Sequence, residues 1–471
     1  MEPKQDNHET LSSDRPKTLS PLSVWALSFG CIIGWGSVIM PGTSFLPNAG
    51  PLGTIIAILI GAMCFVFVSR SFGYMIGKMP ENGGVFTYVL RVLDRPHAFL
   101  AAWALGFAYI ALLWVNANTY VLCTRFFFGD ILQWGFHYQI GDYDIFGGEV
   151  LAGMTAIVLF GLLVAFGRKI TTIIQSILAL GLLGTVLTLF IGTISGAGLS
   201  AAFTPPFAPT DRIVPIQIYH IFLLTPWMFI GFEAISNASG EFKFSPQKAK
   251  IIMPLAVFSA VFIYVAYVII AASALPPGYA TNAEYIANLG NLSGPEAFPV
   301  MYAISSQMGQ TGISILILAV FCALSTSMIG WYRALSNLLK SMADSSLLPA
   351  RYTQLTSDGM PRRAVFLIMV ASLAVPLIGR TAAGWLTDAT AIAATISFAY
   401  TAICCYKCAK RENDNKMKKA GLVGFVISIM VFLLPVLTAM FMGNVFAIES
   451  YVLLAIWAIV GYILTVMISK V

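Results

Sequence analysis

Few ionisable side chains in this sequence sit where they would meet hydrocarbon, and two of them stand out. Glu233 lies in the middle of "HIFLLTPWMFIGFEAISNASGE" (220–241), and Asp388 near the start of "GWLTDATAIAATISFAY" (384–400). A carboxylate at bilayer depth costs about 3 kcal/mol or more, so it marks a substrate path, a proton relay or a buried pair. Asp388 reads as a residue at an outer membrane interface. Glu233 follows Gly231 and is flanked by Pro226, Ser236, Asn237 and Gly240, a composition that loosens a helix by removing a donor and weakening its turns. The four histidines (His8, His97, His137, His220) show no paired spacing, which argues against a zinc or haem site. The seven cysteines, including the "CCYKC" run at 404–408, fall almost entirely in apolar stretches and read as small buried thiols. A membrane enzyme would need converging His, Cys or acidic residues, and a lone intramembrane glutamate does not supply them.

A second interruption lies near the start of the chain. "GCIIGWGSVIMPG" (30–42) places Gly30, Gly34, Gly36 and Ser37 inside an apolar run. Each glycine costs about 1 kcal/mol relative to alanine in a helix interior. Freed backbone groups in hydrocarbon need partners. A broken helix supplies two kinds of site: unpaired amides at the start of a half-helix attract an anion, and unpaired carbonyls attract a cation. Two facing breaks near the bilayer midplane would hold a zwitterion, which points to a secondary transporter. No nucleotide-binding loop is present to support ATP-driven transport.

The elements that must position these residues follow from composition. The 471 residues are 58% hydrophobic and 10% charged, against about 25% charged in a soluble domain. Twelve apolar stretches of roughly bilayer length are expected at 22–47, 51–77, 97–126, 147–167, 170–195, 216–240, 251–275, 299–342, 362–379, 383–407, 420–442 and 447–469. The eighth is too long for one crossing and the ninth is short. With both termini cytoplasmic, all 27 lysines and arginines except Arg125, Arg212 and Arg380 fall on the inner side, as the positive-inside rule requires. The expected class is an all-α, multi-pass protein of the cell membrane. Residues 1–20 form a disordered cytoplasmic tail without a cleavable signal, 21–195 a first five-helix repeat, 216–407 an inverted second repeat, and 420–471 two further helices. The outer connection 277–298 has a helical centre where a lid could sit.

Four blocks in consistent order resemble the amino acid–polyamine–organocation transporters: "IIGWGSVIMPG", "PENGGVFTYV" with "AFLAAWALGFAYI", "PWMFIGFEAISNASGEFKFSPQKAKIIMP", and "RALSNLLKSMADSSLLPARYTQLTSDGMPRRAV". The resemblance implies alternating access around the broken first and sixth helices. It implies that amides of Trp35, Gly36 and Ser37 face a substrate carboxylate and carbonyls of Ile32, Trp227 and Ile230 its amino group. Trp227 would cover the substrate and Glu233 would serve gating and proton sensing. Apart from the resemblance, Asn116 in "LLWVNANTY" has two readings, reaching a substrate side chain or hydrogen-bonding between helices. Trp35 stands where relatives often carry a small residue, and would reshape the pocket. The wider fold's sodium-coupled members place adjacent hydroxyls where this chain has Ser325 and Thr326. With carbonyls of Gly30, Ile33 and Cys322 these form a candidate sodium site; Na+ and H+ both stand as coupling ions, and no cofactor is expected. The implied partners are a small amino acid substrate and the lipid bilayer, with no nucleic acid. A polyamine or organic-cation carrier, or a non-transporting sensor on the same fold, are the alternatives.

Overall fold

The computed structural model describes residues 16–141, 143–442 and 446–468; residues 1–15 of the expected tail lie outside them. Pro21–Ile32 forms α1, with Ser20 as its N-cap accepting a hydrogen bond from the Ser23 amide and Pro21 at the first position, where a missing amide costs nothing. The helix stops at Ile33, whose backbone is extended (φ −97°, ψ 121°). Helix α2 (Gly36–Met40) resumes and runs through a π-helical turn, Pro41–Phe45, into α3 (Leu46–Lys78). Gly50 kinks that join with φ 63°, and a Cβ there would lie 2.6 Å from the Ala208 nitrogen.

Helices α4 (Val85–Val92) and α5 (Arg95–Phe128) follow. A short antiparallel hairpin, β1 (His137–Ile140) and β2 (Tyr143–Phe146), pairs His137 with Phe146 and was not foreseen. Helices α6 (Gly147–Phe166) and α7 (Arg168–Ala197) come next. The sixth expected span comprises three pieces: α8 (Val214–Phe222), α9 (Thr225–Phe229) and a 3-10 helix, Phe232–Glu241. The axis bends by 47° between Val214–Phe222 and Thr225–Glu241. Ten residues of 3-10 helix is long, since its hydrogen bonds are poorly aligned and runs beyond 3–4 residues are uncommon.

The remaining helices are α10 (Ala249–Ala272), α11 (Asn282–Ala287), α12 (Pro299–Asp344), α13 (Arg362–Ser372), α14 (Thr381–Arg411), α15 (Asn415–Met442) and α16 (Ile448–Ile468). Gly309 (φ 58°) breaks the overlong α12, and α11 is the helical centre expected in the outer connection. Among the described residues nine helical stretches are long and apolar enough to cross a bilayer, or ten with the bent pair. The difference from twelve has a local cause. The first expected span is split between α1 and α2, which continues into α3, and the ninth is only the 11-residue α13 followed by a turn at Val375–Leu377.

Helix α1 lies in the middle of the bundle, against α7, α10, α12 and the 3-10 segment. Large apolar side chains stay exposed on the outer faces, among them Leu159 on α6, Ile177 on α7, Phe258 on α10, Val426 on α15 and Ile459 on α16. A belt of that kind is costly against water and is what a lipid-facing surface needs. All seven cysteines are free thiols.

Candidate functional site

The two interruptions meet backbone to backbone. Gly231 adopts φ 121°, and a Cβ on it would lie 2.7 Å from the Cys31 carbonyl carbon and 2.8 Å from the Ile32 nitrogen. No residue with a side chain could bring the breaks so close. Breaking the helices leaves polar groups open: the amides of Gly34, Trp35 and Gly36 and the carbonyls of Gly30, Cys31, Ile32, Trp227 and Ile230 find no hydrogen-bond partner among the described residues. Ser37 departs from expectation. Its amide and its hydroxyl both donate to the Gly34 carbonyl, at 3.2 and 2.7 Å, so neither is free for a ligand.

These groups border an open cavity of about 460 Å³ lined by α1, α2, α5, α9, α12 and the first turns of α14, within the size range of small-molecule sites. Trp227 spreads over Gly36: a Cβ at Gly36 would lie 2.2 Å from the ring's Cη2. Trp35 turns its ring edge-on to Phe126 at 5.6 Å, and Phe126 in turn packs edge-on to Phe298 at 4.3 Å. The tryptophan therefore joins an aromatic cluster at the ends of α5 and α12 while one side lines the cavity. Asn116 is buried beside Gly34 and donates to the Leu112 carbonyl (2.8 Å) and the Ser327 hydroxyl (2.9 Å). Ile32 and Ile230 also line the cavity.

Several lining residues are not marked by the sequence, Ser327 and Trp331 among them. Ser327 and Trp331 lie four apart on α12, hence on one helix face, and both line the cavity. The indole nitrogen of Trp331 is buried without a partner among the described residues. The polar "STS" run marks this turn, but residue type does not tell Ser327 from Thr326 and Ser325, one and two positions away. Asp388 was expected at an outer interface. It is half-buried and lines the same cavity.

Glu233 is fully buried behind the α9 break. Its Oε2 accepts the Gly231 amide at 2.9 Å, holding the backbone in its open turn, while Oε1 has no hydrogen-bond partner among the described residues. At the far end of the 3-10 helix, Glu241 carries a buried ion-pair cluster. Its Oε2 meets Arg333 at 2.6 Å and Arg168 at 2.9 Å, and its Oε1 accepts from Asn82 at 3.1 Å. Its carbonyl accepts the amides of Thr18 and Leu19 at 2.9 Å. The cluster ties the stretch before α1 to the start of α7, to α12 and to the end of the 3-10 helix.

Of the sodium-site residues, Gly30 and Thr326 are brought together, a Cβ on Gly30 falling 2.7 Å from the Thr326 Cβ. The Thr326 hydroxyl donates to the Cys322 and Ala323 carbonyls at 2.8 and 2.9 Å. The Ser325 hydroxyl pairs with the Tyr120 hydroxyl at 2.7 Å, turned toward α5. Ile33 is buried at the end of α1. A hard cation needs several converging oxygens; here each hydroxyl is engaged within the protein, Ser325 by Tyr120 and Thr326 by its own helix.

Comparison with known proteins settles the family. The model of the family described as amino acid permease matches residues 19–468. The chain belongs to the amino acid permease family. Over 356 residues the permease is 28% identical to the methylthioribose transporter of Bacillus subtilis (strain 168), covering 74% of this chain and 71% of that protein. It is 25% identical over 245 residues to the branched-chain amino acid permease BcaP of the same organism, 49% of each chain. Among solved structures, a Na+-coupled sialic acid symporter in a substrate-bound outward-open state aligns with a TM-score of 0.52 at 13% identity, covering 91% of both chains. At that identity the likeness shows the fold alone. Family and fold establish an all-α, multi-pass membrane transporter and not an enzyme.

Proposed function

We propose that the permease is a secondary transporter that carries amino acids across the cell membrane by alternating access. The supporting observation is the apposition of the two breaks, which leaves amides at Gly34, Trp35 and Gly36 and carbonyls at Ile32, Trp227 and Ile230 unpaired around one cavity. Amides at a helix start favour a carboxylate and open carbonyls favour an ammonium, the two groups every amino acid carries. Trp227, resting on Gly36, is displaced by or closes over the bound solute. The Glu241 cluster joins α7, α12 and the 3-10 helix on the lysine-rich side, which the positive-inside rule places in the cytoplasm.

The relatives' printed names span a sulfur-containing ribose, branched-chain amino acids and, over a shorter match, lysine, so the choice of amino acids rests on the unpaired amides and carbonyls of this cavity and not on the names. Uptake of a labelled amino acid panel into proteoliposomes, under imposed sodium and proton gradients, tests the reading. Accumulation of at least one amino acid supports it. Binding without uptake would instead indicate a sensor, and uptake of amines lacking a carboxylate a polyamine carrier.

A further inference from the structure

We infer that Asp388 makes the cavity selective for substrates carrying a second cationic group, such as amino acids with an amine or guanidine side chain. This inference rests on the reading of the cavity as the substrate site. Two charged side chains line that cavity, Asp388 and Arg380. They belong to one helix and are eight residues apart, about 12 Å along the axis at 1.5 Å per residue. Arg380 is exposed at the N-cap of α14, at the mouth of the cavity, whereas Asp388 is half-buried further in. No ion pair joins Asp388 to any described cation.

The hydrogen bonds of Asp388 account for one oxygen. Oδ2 accepts the Ala447 amide and the Ser450 hydroxyl, each at 3.3 Å. These groups open α16, whose N-terminal dipole steadies negative charge. The carboxylate is thereby held in place across the α14–α16 contact. Its other oxygen, Oδ1, has no hydrogen-bond partner among the described residues, and the residue lines the cavity. The cavity walls mix neutral polar side chains (Thr43, Asn116, Thr119, Ser327, Thr387) with tryptophan and aliphatic surface, and Arg380 supplies the cation among them.

An acceptor-only group on the wall of a partly desolvated cavity discriminates sharply. A ligand with an ammonium restores the charge pair, and one with a methyl group leaves the carboxylate desolvated and alone. Lysine and norleucine form the matched pair for this test, since they share chain length and backbone and differ by the terminal ammonium. A role confined to bridging α14 and α16 would not distinguish them.

Competition of each compound against a labelled substrate, using the purified full-length permease in proteoliposomes, provides the measurement. Wild type is expected to favour lysine over norleucine by about tenfold or more, the effect of one charge-assisted hydrogen bond. In Asp388→Asn the preference is expected to fall close to parity, and in Asp388→Glu to persist. Equal competition by lysine and norleucine in wild type overturns the inference without any variant being made, as does an unchanged ratio in Asp388→Asn. If neutral amino acids compete and cationic ones do not, the site reading stands and this inference falls. If nothing in the panel competes or accumulates, the site reading itself fails and takes the inference with it.

Discussion

The ring of Trp227 lies on Gly36 so closely that a methyl group there would sit 2.2 Å from Cη2 and 2.7 Å from Cζ2. The two residues come from the two broken helices, so this contact reports how the halves of the site fit. It accounts for glycine at position 36 more directly than helix unwinding does.

The first prediction concerns that contact. Gly36→Ala forces the indole to swing away, disturbing the cover over the unpaired amides. Uptake is expected to fall severely while membrane insertion persists. Because the clash needs both partners, adding Trp227→Phe should recover part of the loss. The pair is expected to show a coupling of about 0.5–3 kcal/mol in a double-mutant cycle, read from initial uptake rates. Additive effects would show that the ring does not rest on Gly36 in the working protein.

A second prediction follows from Glu241, whose one carboxylate pairs with both Arg168 and Arg333 in a buried setting. Glu241→Gln leaves two guanidinium groups without a counter-charge, and breaking a buried pair in this way costs about 3–5 kcal/mol. The purified variant should melt well below wild type in detergent. Removing one of the stranded charges as well, with Arg333→Gln, should raise the melting temperature again. A variant as stable as wild type would mean that the cluster is open to water.

Much of this arrangement was legible in the sequence, because its causes are local. Glycine and proline act where they stand, so the breaks after Ile32 and near Gly231 could be placed to within a few residues. Hydropathy likewise gave α6, α7 and α10 nearly to their observed ends. What escaped depends on packing. Glu241 and Arg333 stand 92 positions apart, and nothing along the chain pairs them. Asp388 looked interfacial from its place near the start of a span, yet whether it meets water, lipid or cavity depends on how α14 is turned. The directions of the Ser325 and Thr326 hydroxyls are rotamer choices made by Tyr120 and by the preceding helical turn, which residue type alone does not reveal.

Those hydroxyl directions yield the third prediction. With Ser325 paired to Tyr120 and Thr326 back-bonded to Cys322 and Ala323, both hydroxyls are satisfied within the protein without an ion. Replacing external sodium by choline is therefore expected to leave proteoliposome uptake unchanged, and Thr326→Ala to alter stability more than ion dependence. Clear stimulation by a sodium gradient, lost in Ser325→Ala, would show that both hydroxyls rotate inward during the cycle.

The fourth prediction addresses Glu233, whose one oxygen fixes the Gly231 amide while the other is buried without a hydrogen-bond partner among the described residues. Such an atom is costly unless a proton, a ligand or a conformational change satisfies it in part of the cycle. Glu233→Gln keeps a carbonyl oxygen able to accept the Gly231 amide, so the break should hold its shape, and it removes the capacity to ionise. Expression and melting temperature should change little. The wild-type uptake rate should vary with pH, and the variant's should become nearly flat over the same series, measured as initial rates in proteoliposomes with internal and external pH set together. Glu233→Ala, lacking the acceptor altogether, should lose stability as well, since it frees the Gly231 amide inside the bundle. A pH profile identical in Glu233→Gln and wild type would confine Glu233 to holding the break open and place any proton coupling elsewhere in the chain.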